Sequence, residues 1–310
     1  MGGEIRVLNE MTSIRPNHSS TSTATEIVRL LRWDKPEGRL ILMIPALWAV
    51  VLASRGAPPA FLVLVIVAGT IATSAAGCVI NDLWDRNIDP NVERTRTRPL
   101  AARTLTLQVG LVVAIVALLC AFGLSLFLTP LSFWLCVAAV PVIALYPGAK
   151  RVFPVPQLVL SIAWGFAVLI SWSATANTLS PATWLLWGAT VLWTLGFDTI
   201  YAMPDRADDQ RLGVKSSALF FGRFVEAMIA LFFLGTVGCL AILGWTLQLH
   251  WGYWLTLTFS LVFWARQILK LQQWKASMIV RSSAAYGALF RENVWIGFLL
   301  LIGMILGCRL

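Results

Sequence analysis

The chain has 310 residues, of which 58% are hydrophobic and only 13% charged, with a net charge of +9. With a mean hydropathy of +0.77, it lies outside the range of soluble globular domains and reads as an integral membrane protein. Apolar runs long enough to cross a hydrocarbon core of about 30 Å recur along the whole length, which favours helices over a barrel and leaves no room for a separate soluble domain.

Residues 1-25 are polar, rich in Ser and Thr, and lack the apolar core of a secretory signal, so they are expected to form a disordered tail ahead of one transmembrane domain over 26-310. The stretch EIVRLLRW at 26-33 alternates Arg with Leu and Val and suits a helix lying on the membrane surface. Nine spans follow, at about 40-54, 60-80, 105-128, 130-147, 156-175, 182-200, 224-247, 251-269 and 292-308. Basic residues give an independent check on that number, because they concentrate in loops on the cytoplasmic side. With nine spans, 22 of the 24 Lys and Arg fall on one face and only Arg55 and Arg309 on the other. The N-terminus is therefore expected on the cytoplasmic side of a bacterial inner or organelle membrane and the C-terminus opposite. The positive charge is a topology signal and does not imply nucleic acid.

Carboxylates gather in NDLWDRNID at 81-89 and DTIYAMPDRADD at 198-209, each at the cytoplasmic end of an apolar span. On a continuous helix Asn81, Asp85 and Asp89 recur at i, i+4, i+8, and Asp82 joins Asp85 and Asp89 at i, i+3, i+7, so all four crowd one face. Such a cluster repels itself unless a cation is present. Mg²⁺ prefers oxygen donors and is commonly held by one or two carboxylates together with substrate phosphate oxygens. Groups for the phosphate side follow at once: Arg94, Arg96 and Arg98 in ERTRTRPL, Lys150 and Arg151 in YPGAKR, and Lys215 in GVKSS. One charge run at a membrane end is ordinarily a solvated loop, but two matched acidic clusters interleaved with arginine point to a metal-bridged diphosphate. The five cysteines lack CxxC spacing and His18 and His250 are isolated, which argues against a disulfide frame, zinc or haem.

NDxxDxxxD at 81-89 followed by ERTRTRPL, and YxxxDxxxD at 201-209 within FDTIYAMPDRADDQRLGVKSSALFFG, resemble the paired motifs of the UbiA superfamily of intramembrane prenyltransferases. The likeness runs from RWDKPEGRLILMIPALWA at 32-49 to the last span, and DKPxG and DTIYAM resemble the 4-hydroxybenzoate branch in particular. That resemblance implies an all-α membrane protein, with nine transmembrane helices around a central cavity in which the two acidic motifs face each other over Mg²⁺ and an allylic diphosphate. It implies metal binding by Asn81, Asp82, Asp85, Asp89, Asp205 and Asp209, the five aspartates also being the catalytic candidates with Asp85 and Asp205 foremost. Substrate contacts are expected from Asn81, Arg94, Arg98, Lys150, Asp198, Tyr201, Lys215 and Arg32, and Arg39 shares with Arg32 the possibility of meeting an aromatic carboxylate. The implied reaction is Mg²⁺-dependent transfer of a polyprenyl group from polyprenyl diphosphate, drawn from the membrane lipid, to the ring carbon ortho to the hydroxyl of 4-hydroxybenzoate, as in ubiquinone or plastoquinone synthesis. Homogentisate and a dihydroxynaphthoate are the alternative acceptors. Trp84, Phe197 and Tyr201 are candidates to offer a π-face to an allylic cation. Pro204 departs from a regular helical motif and is expected to bend the chain and to disfavour a helical residue at Met203. A cation-coupled transporter is the competing class, but it calls for a midplane site on interrupted helices and internal repeats, which the sequence does not display.

Overall fold

The computed structural model describes residues 22–277 and 281–309; most of the expected tail, residues 1–21, lies outside them. Among the described residues every regular element is helical. Helix α1, Thr23–Leu30, is capped by the Ser22 hydroxyl, which accepts from the Thr25 amide at 3.2 Å, with Glu26 in its first turn and Arg29 in its last complementing the helix dipole. Residues 22–25 thus belong to the surface helix and not to the tail. Nine long helices follow among the described residues: α2 Glu37–Ala53, α3 Ala60–Trp84, α4 Leu107–Ser125, α5 Pro130–Val152, α6 Pro156–Ala176, α7 Pro181–Ala202, α10 Val225–Thr246, α11 Trp251–Ala276 and α12 Ser283–Arg309, with the short helices α8 Arg206–Leu212 and α9 Ser217–Phe221 between α7 and α10. Their starts are written into the sequence: Pro130, Pro156 and Pro181 open α5, α6 and α7, where the missing amide hydrogen costs nothing, and Thr106 and Thr129 cap α4 and α5.

Among the described residues six segments are long and apolar enough to cross a membrane: Ala60–Trp84, Leu107–Ser125, Pro130–Val152, Pro156–Ala176, Ser217–Thr246 and Ser283–Cys308. The other three long helices differ for visible reasons. Helix α2 has 17 residues and begins with Glu37 and Arg39; α11 carries Arg266, Lys270 and Lys275; α7 carries Thr183, Thr190, Thr194 and Thr199. Helix α7 is central: Leu186, Ala189, Trp193, Phe197 and Ile200 have no exposed surface, so most of it packs against protein, with Trp184 exposed near its start.

Helices adjacent in sequence are mostly adjacent in space, α3 against α4, α5 against α6, α6 against α7, and α7, α10, α11 and α12 in succession, with α12 returning to α2 and α2 crossing against α6. Gly196 lets α10 approach α7, because a Cβ there would collide with the Phe233 ring. The core beside it holds Trp48 stacked on Trp193 at 5.0 Å and Phe233 stacked on Trp264 at 5.2 Å. A satisfied polar knot ties α7, α11 and α12: Asn293 Oδ1 accepts from the Trp193 and Trp264 indoles at 3.0 and 2.9 Å, and its amide donates to Gln267 Oε1 at 3.1 Å. Helices α4 and α5 meet little, and between α3, α4, α5 and α6 lies a cavity of about 1000 Å³.

Candidate active site

Both acidic motifs reach this cavity from irregular backbone. Helix α3 ends at Trp84, Asp85 is its C-cap, and Asp89 opens a 3-10 turn, Asp89–Asn91, beside Pro90. The four polar residues of the first motif therefore do not share one helix face. Asp85 nonetheless stays near Asp89, whose amide donates to the Asp85 carbonyl at 2.8 Å. In the second motif α7 stops at Ala202, Met203–Asp205 forms a 3-10 turn, and α8 starts at Arg206. The helix gives way at Met203, the residue before Pro204, although Met203 itself keeps helical dihedrals (φ −59°, ψ −40°) within the 3-10 turn, against the expectation.

The candidate residues Arg32, Asn81, Asp85, Asp89, Arg94, Arg98, Lys150, Asp198, Tyr201, Asp205, Asp209 and Lys215 all line the cavity. Asp82 does not: it is 1% exposed and sits behind the wall, accepting from Arg32 at 2.6 Å and Arg98 at 3.2 Å, with its Oδ2 buried and unpartnered. Arg98 also donates to Asp89 at 2.9 Å. Lys150 donates to Asp85 at 3.0 Å and to Asn81 at 3.2 Å. Arg94 grips Asp205 through a fork, its Nε 3.0 and 3.2 Å from the two carboxylate oxygens, while its guanidinium lies 4.6 Å over the Tyr201 ring. Burial works against the charge of Arg94, yet Tyr201 and Asp205 outweigh it and raise its pKa. Arg98 is likewise buried, and Asp82 and Asp89 raise its pKa in turn.

The second motif divides. Asp209 lines the cavity, and burial, opposed by a hydrogen bond with Ser216, pushes its carboxyl up to about 6. Asp208 pairs outside with Arg211 at 3.0 Å, and Arg211 donates to the Asn91 carbonyl at 2.9 Å, so α8 is tied to the first acidic loop. The GVKSS loop is held by Gly213, left-handed at φ 68°, by the Lys215 amide donating to the Lys150 carbonyl at 2.7 Å, and by Gln157 accepting from the Ser217 amide at 2.8 Å. Arg96 is exposed. Arg151 leaves the cavity centre to donate to the Trp84 carbonyl at 2.9 Å and lies 5.4 Å over its ring.

Of the three aromatic candidates, only Tyr201 lines the cavity; Trp84 is 42% exposed and Phe197 is packed in the core between Trp193 and Phe290. The walls instead use Tyr146, Trp164 and Phe290. The sequence analysis missed Tyr146, whose signal was its place four residues before Lys150 on the same helix; the Lys150 ammonium lies 5.5 Å from its ring centroid. Trp164 and Phe290 carried no local signal. Away from the charges the lining becomes apolar, with Val65, Ile66, Leu118, Val137, Val140 and Ile143 among it.

Among the described residues no three of His, Cys, Asp and Glu converge into a ready-made metal cage. The donor set nevertheless suits a hard divalent ion: carboxylate and amide oxygens from both motifs border one space, and Mg²⁺ commonly completes a sparse protein set with phosphate oxygens. Asn81, Asp85 and Asp89 on one side and Asp205 and Asp209 on the other are the residues that would hold it.

Comparison with known proteins agrees with this geometry. The model of the UbiA prenyltransferase family matches residues 42–294. The chain is 64% identical over 281 residues to the 4-hydroxybenzoate solanesyltransferase of Synechocystis sp. (strain ATCC 27184 / PCC 6803 / Kazusa), covering 91% of this chain and 94% of that one. It is 42% identical over 280 residues to the 4-hydroxybenzoate octaprenyltransferase of Tolumonas auensis, covering 90% and 96%. Two solved structures share the fold: the apo form of a UbiA homolog from Aeropyrum pernix K1 (TM-score 0.73, 22% identity, 86% and 97% covered) and a UbiA homolog from Archaeoglobus fulgidus bound to GPP and Mg²⁺ (TM-score 0.68, 15% identity, 89% and 99% covered).

Proposed function

The chain belongs to the UbiA prenyltransferase family, and on that footing we propose that it is a 4-hydroxybenzoate polyprenyltransferase, transferring a polyprenyl group from its diphosphate to the ring carbon ortho to the acceptor's hydroxyl. The observation that carries this is the convergence of both acidic motifs and three basic residues, Arg94, Arg98 and Lys150, on one cavity that continues into an apolar limb. That limb suits a prenyl chain, and the naming of the Synechocystis relative favours a long one.

The residues divide the work by charge and polarity. Asn81, Asp85, Asp89, Asp205 and Asp209 would hold Mg²⁺, which when bound supplies positive charge to the leaving diphosphate. Arg94, Arg98 and Lys150 neutralise the negative charge that grows on the diphosphate as the allylic C–O bond breaks. The resulting allylic cation is shielded from water by the apolar wall, and Tyr201, Tyr146 and Trp164 offer π-faces to it. The electron-rich carbon of the acceptor then attacks the cation, and loss of the proton from that carbon restores the aromatic ring. For the acceptor's carboxylate we assign Arg39. It lines the cavity, its guanidinium donates to the Arg32 carbonyl at 2.6 Å, and among the described residues no carboxylate lies within ion-pair distance of it.

The nine long helices are proposed to be nine membrane crossings, which puts the termini on opposite faces and the catalytic end on the cytoplasmic side; tags on both termini found on one side would contradict it. The decisive test of function is turnover of purified protein with Mg²⁺, prenyl diphosphates of several lengths and a panel of aromatic acids, read by mass spectrometry. Prenylated 4-hydroxybenzoate is expected. Absence of product from every aromatic acid would overturn the assignment.

A further inference from the structure

Helix α1 lies wholly before residue 42, where the match to the family model begins. It is nevertheless built into the site. Glu26 is 2% exposed, an unusual position for a glutamate on a surface helix. Its Oε1 accepts from Arg29 at 2.8 Å and its Oε2 accepts from the Thr104 hydroxyl at 2.6 Å. The second guanidinium nitrogen of Arg29 donates to the Thr97 carbonyl at 3.0 Å. Thr97 immediately precedes Arg98, the guanidinium that bridges Asp82 and Asp89 at the cavity wall. Beneath these polar contacts Leu30, with no exposed surface, packs with Leu100, Leu105 and Val79.

We propose that Glu26 is a positioning residue for diphosphate binding: it clamps the loop from Arg94 to Leu105 onto α1, from both ends, and so aims Arg98 into the cavity. This inference rests on the assignment of the cavity as a prenyl diphosphate site. The physical reason is specific. The loop has to present guanidinium groups to a ligand while its own carbonyls and hydroxyls stay satisfied, and a buried carboxylate that accepts from Arg29 and Thr104 together fixes both ends at once. A surface helix retained only for packing would need Leu30 and not a buried anion.

The test is a double-mutant cycle on the full chain in detergent. Binding of a non-reactive prenyl thiodiphosphate with Mg²⁺ is measured for the wild type, Glu26→Ala, Glu26→Gln, Arg98→Ala and the Glu26→Ala/Arg98→Ala pair, alongside amide hydrogen exchange over residues 94–106. Glu26→Ala should weaken binding about tenfold and speed exchange in that loop, with Glu26→Gln, which keeps an oxygen for Thr104, in between. On the Arg98→Ala background the Glu26 substitution should add little, because it acts through Arg98. Unchanged binding and exchange in Glu26→Ala, or full additivity with Arg98→Ala, overturns the clamp while leaving the diphosphate site standing. A wild-type protein that fails to bind the analogue overturns both.

Discussion

Replacing Arg94 by Ala separates a diphosphate ligand from a topological charge. In the structure the guanidinium is spent on Asp205, held by both carboxylate oxygens, and the Arg94 side chain is 28% exposed. A forked contact to a diphosphate would supply two charge-assisted hydrogen bonds, each worth about 1.5–3 kcal/mol, but the Asp205 pair has to be given up first, which offsets a good part of that sum. The net loss is about 2 kcal/mol, or roughly a 30-fold rise in KM for the prenyl diphosphate, with KM for the aromatic acid changed less than about twofold. Arg94→Lys, which keeps the charge but not the fork, should fall between. Arg96→Ala is the control, since Arg96 is exposed and absent from the cavity wall. Steady-state kinetics with each substrate varied in turn decides the matter. If Arg94→Ala and Arg96→Ala raise KM alike, or if Arg94→Ala raises KM for both substrates equally, the assignment of this wall to the diphosphate fails.

Asp85→Asn keeps size and removes charge where Lys150 now pairs with it, and should cut kcat about 10²-fold or more, near 3 kcal/mol in the barrier, with partial rescue by excess Mg²⁺ in the same assay. Asp209, whose carboxyl burial pushes up to about 6 against the Ser216 hydrogen bond, loses its charge as pH falls through that value. Apparent Mg²⁺ affinity should therefore drop below about pH 6 and level off above it. Because the folded pKa is raised, the empty protein's stability should fall as pH rises from the ordinary 3.8 toward 6, and Asp209→Asn should remove that slope in melting scans. Asn293→Ala strands the Trp193 and Trp264 indole hydrogens and Gln267 in a buried place and should cost about 3 kcal/mol in denaturant unfolding, with KM values in the surviving protein unaltered.

That nine long helices would form was readable among the described residues, because a bilayer of fixed thickness sets their length and proline marks their starts. But α11 runs on to Ala276 and α12 begins at Ser283, beyond the expected 269 and before the expected 292, since their charged ends are held by protein contacts that hydropathy does not register. Hydropathy and length select six of these helices among the described residues and leave out α2, α7 and α11. What decides the surface of α7 is its neighbours, and a helix with Trp193, Phe197 and Ile200 fully enclosed can carry four threonines without meeting lipid. That most of the expected residues would gather at one place was legible, and their placement within it was not. Spacing puts Asp82 and Asp85 on adjoining parts of one face, and nothing local distinguishes them; the distinction comes from Arg32, fifty positions away, which turns at a left-handed φ of 58° and takes Asp82 behind the wall. Asp89 leaves the helix because α3 ends at Trp84, a tertiary outcome that the i, i+8 spacing cannot register.

The pairing of the two charge sets is the part of the site that no motif displays. Read along the chain, the aspartates look like metal ligands and the arginines like phosphate ligands, two groups waiting for separate partners. In the folded protein they neutralise one another, Asp82 and Asp89 with Arg98, Asp82 with Arg32, Asp85 with Lys150 and Asp205 with Arg94. Burying eight such groups near an apolar cavity without partners would carry a large desolvation cost, and mutual pairing keeps it small. On the proposed function, Asp85, Asp89 and Asp205 would exchange their basic partners for a cation while Lys150, Arg98 and Arg94 turn to the diphosphate, with Asp82 staying behind the wall, so the pocket would keep close to its charge balance on binding. A lone cation would leave the basic residues unmatched, and a lone diphosphate would leave the carboxylates unmatched. On that reading, the balance gives a physical reason for interleaving acidic and basic residues within a few positions, DxxD with RTRTR.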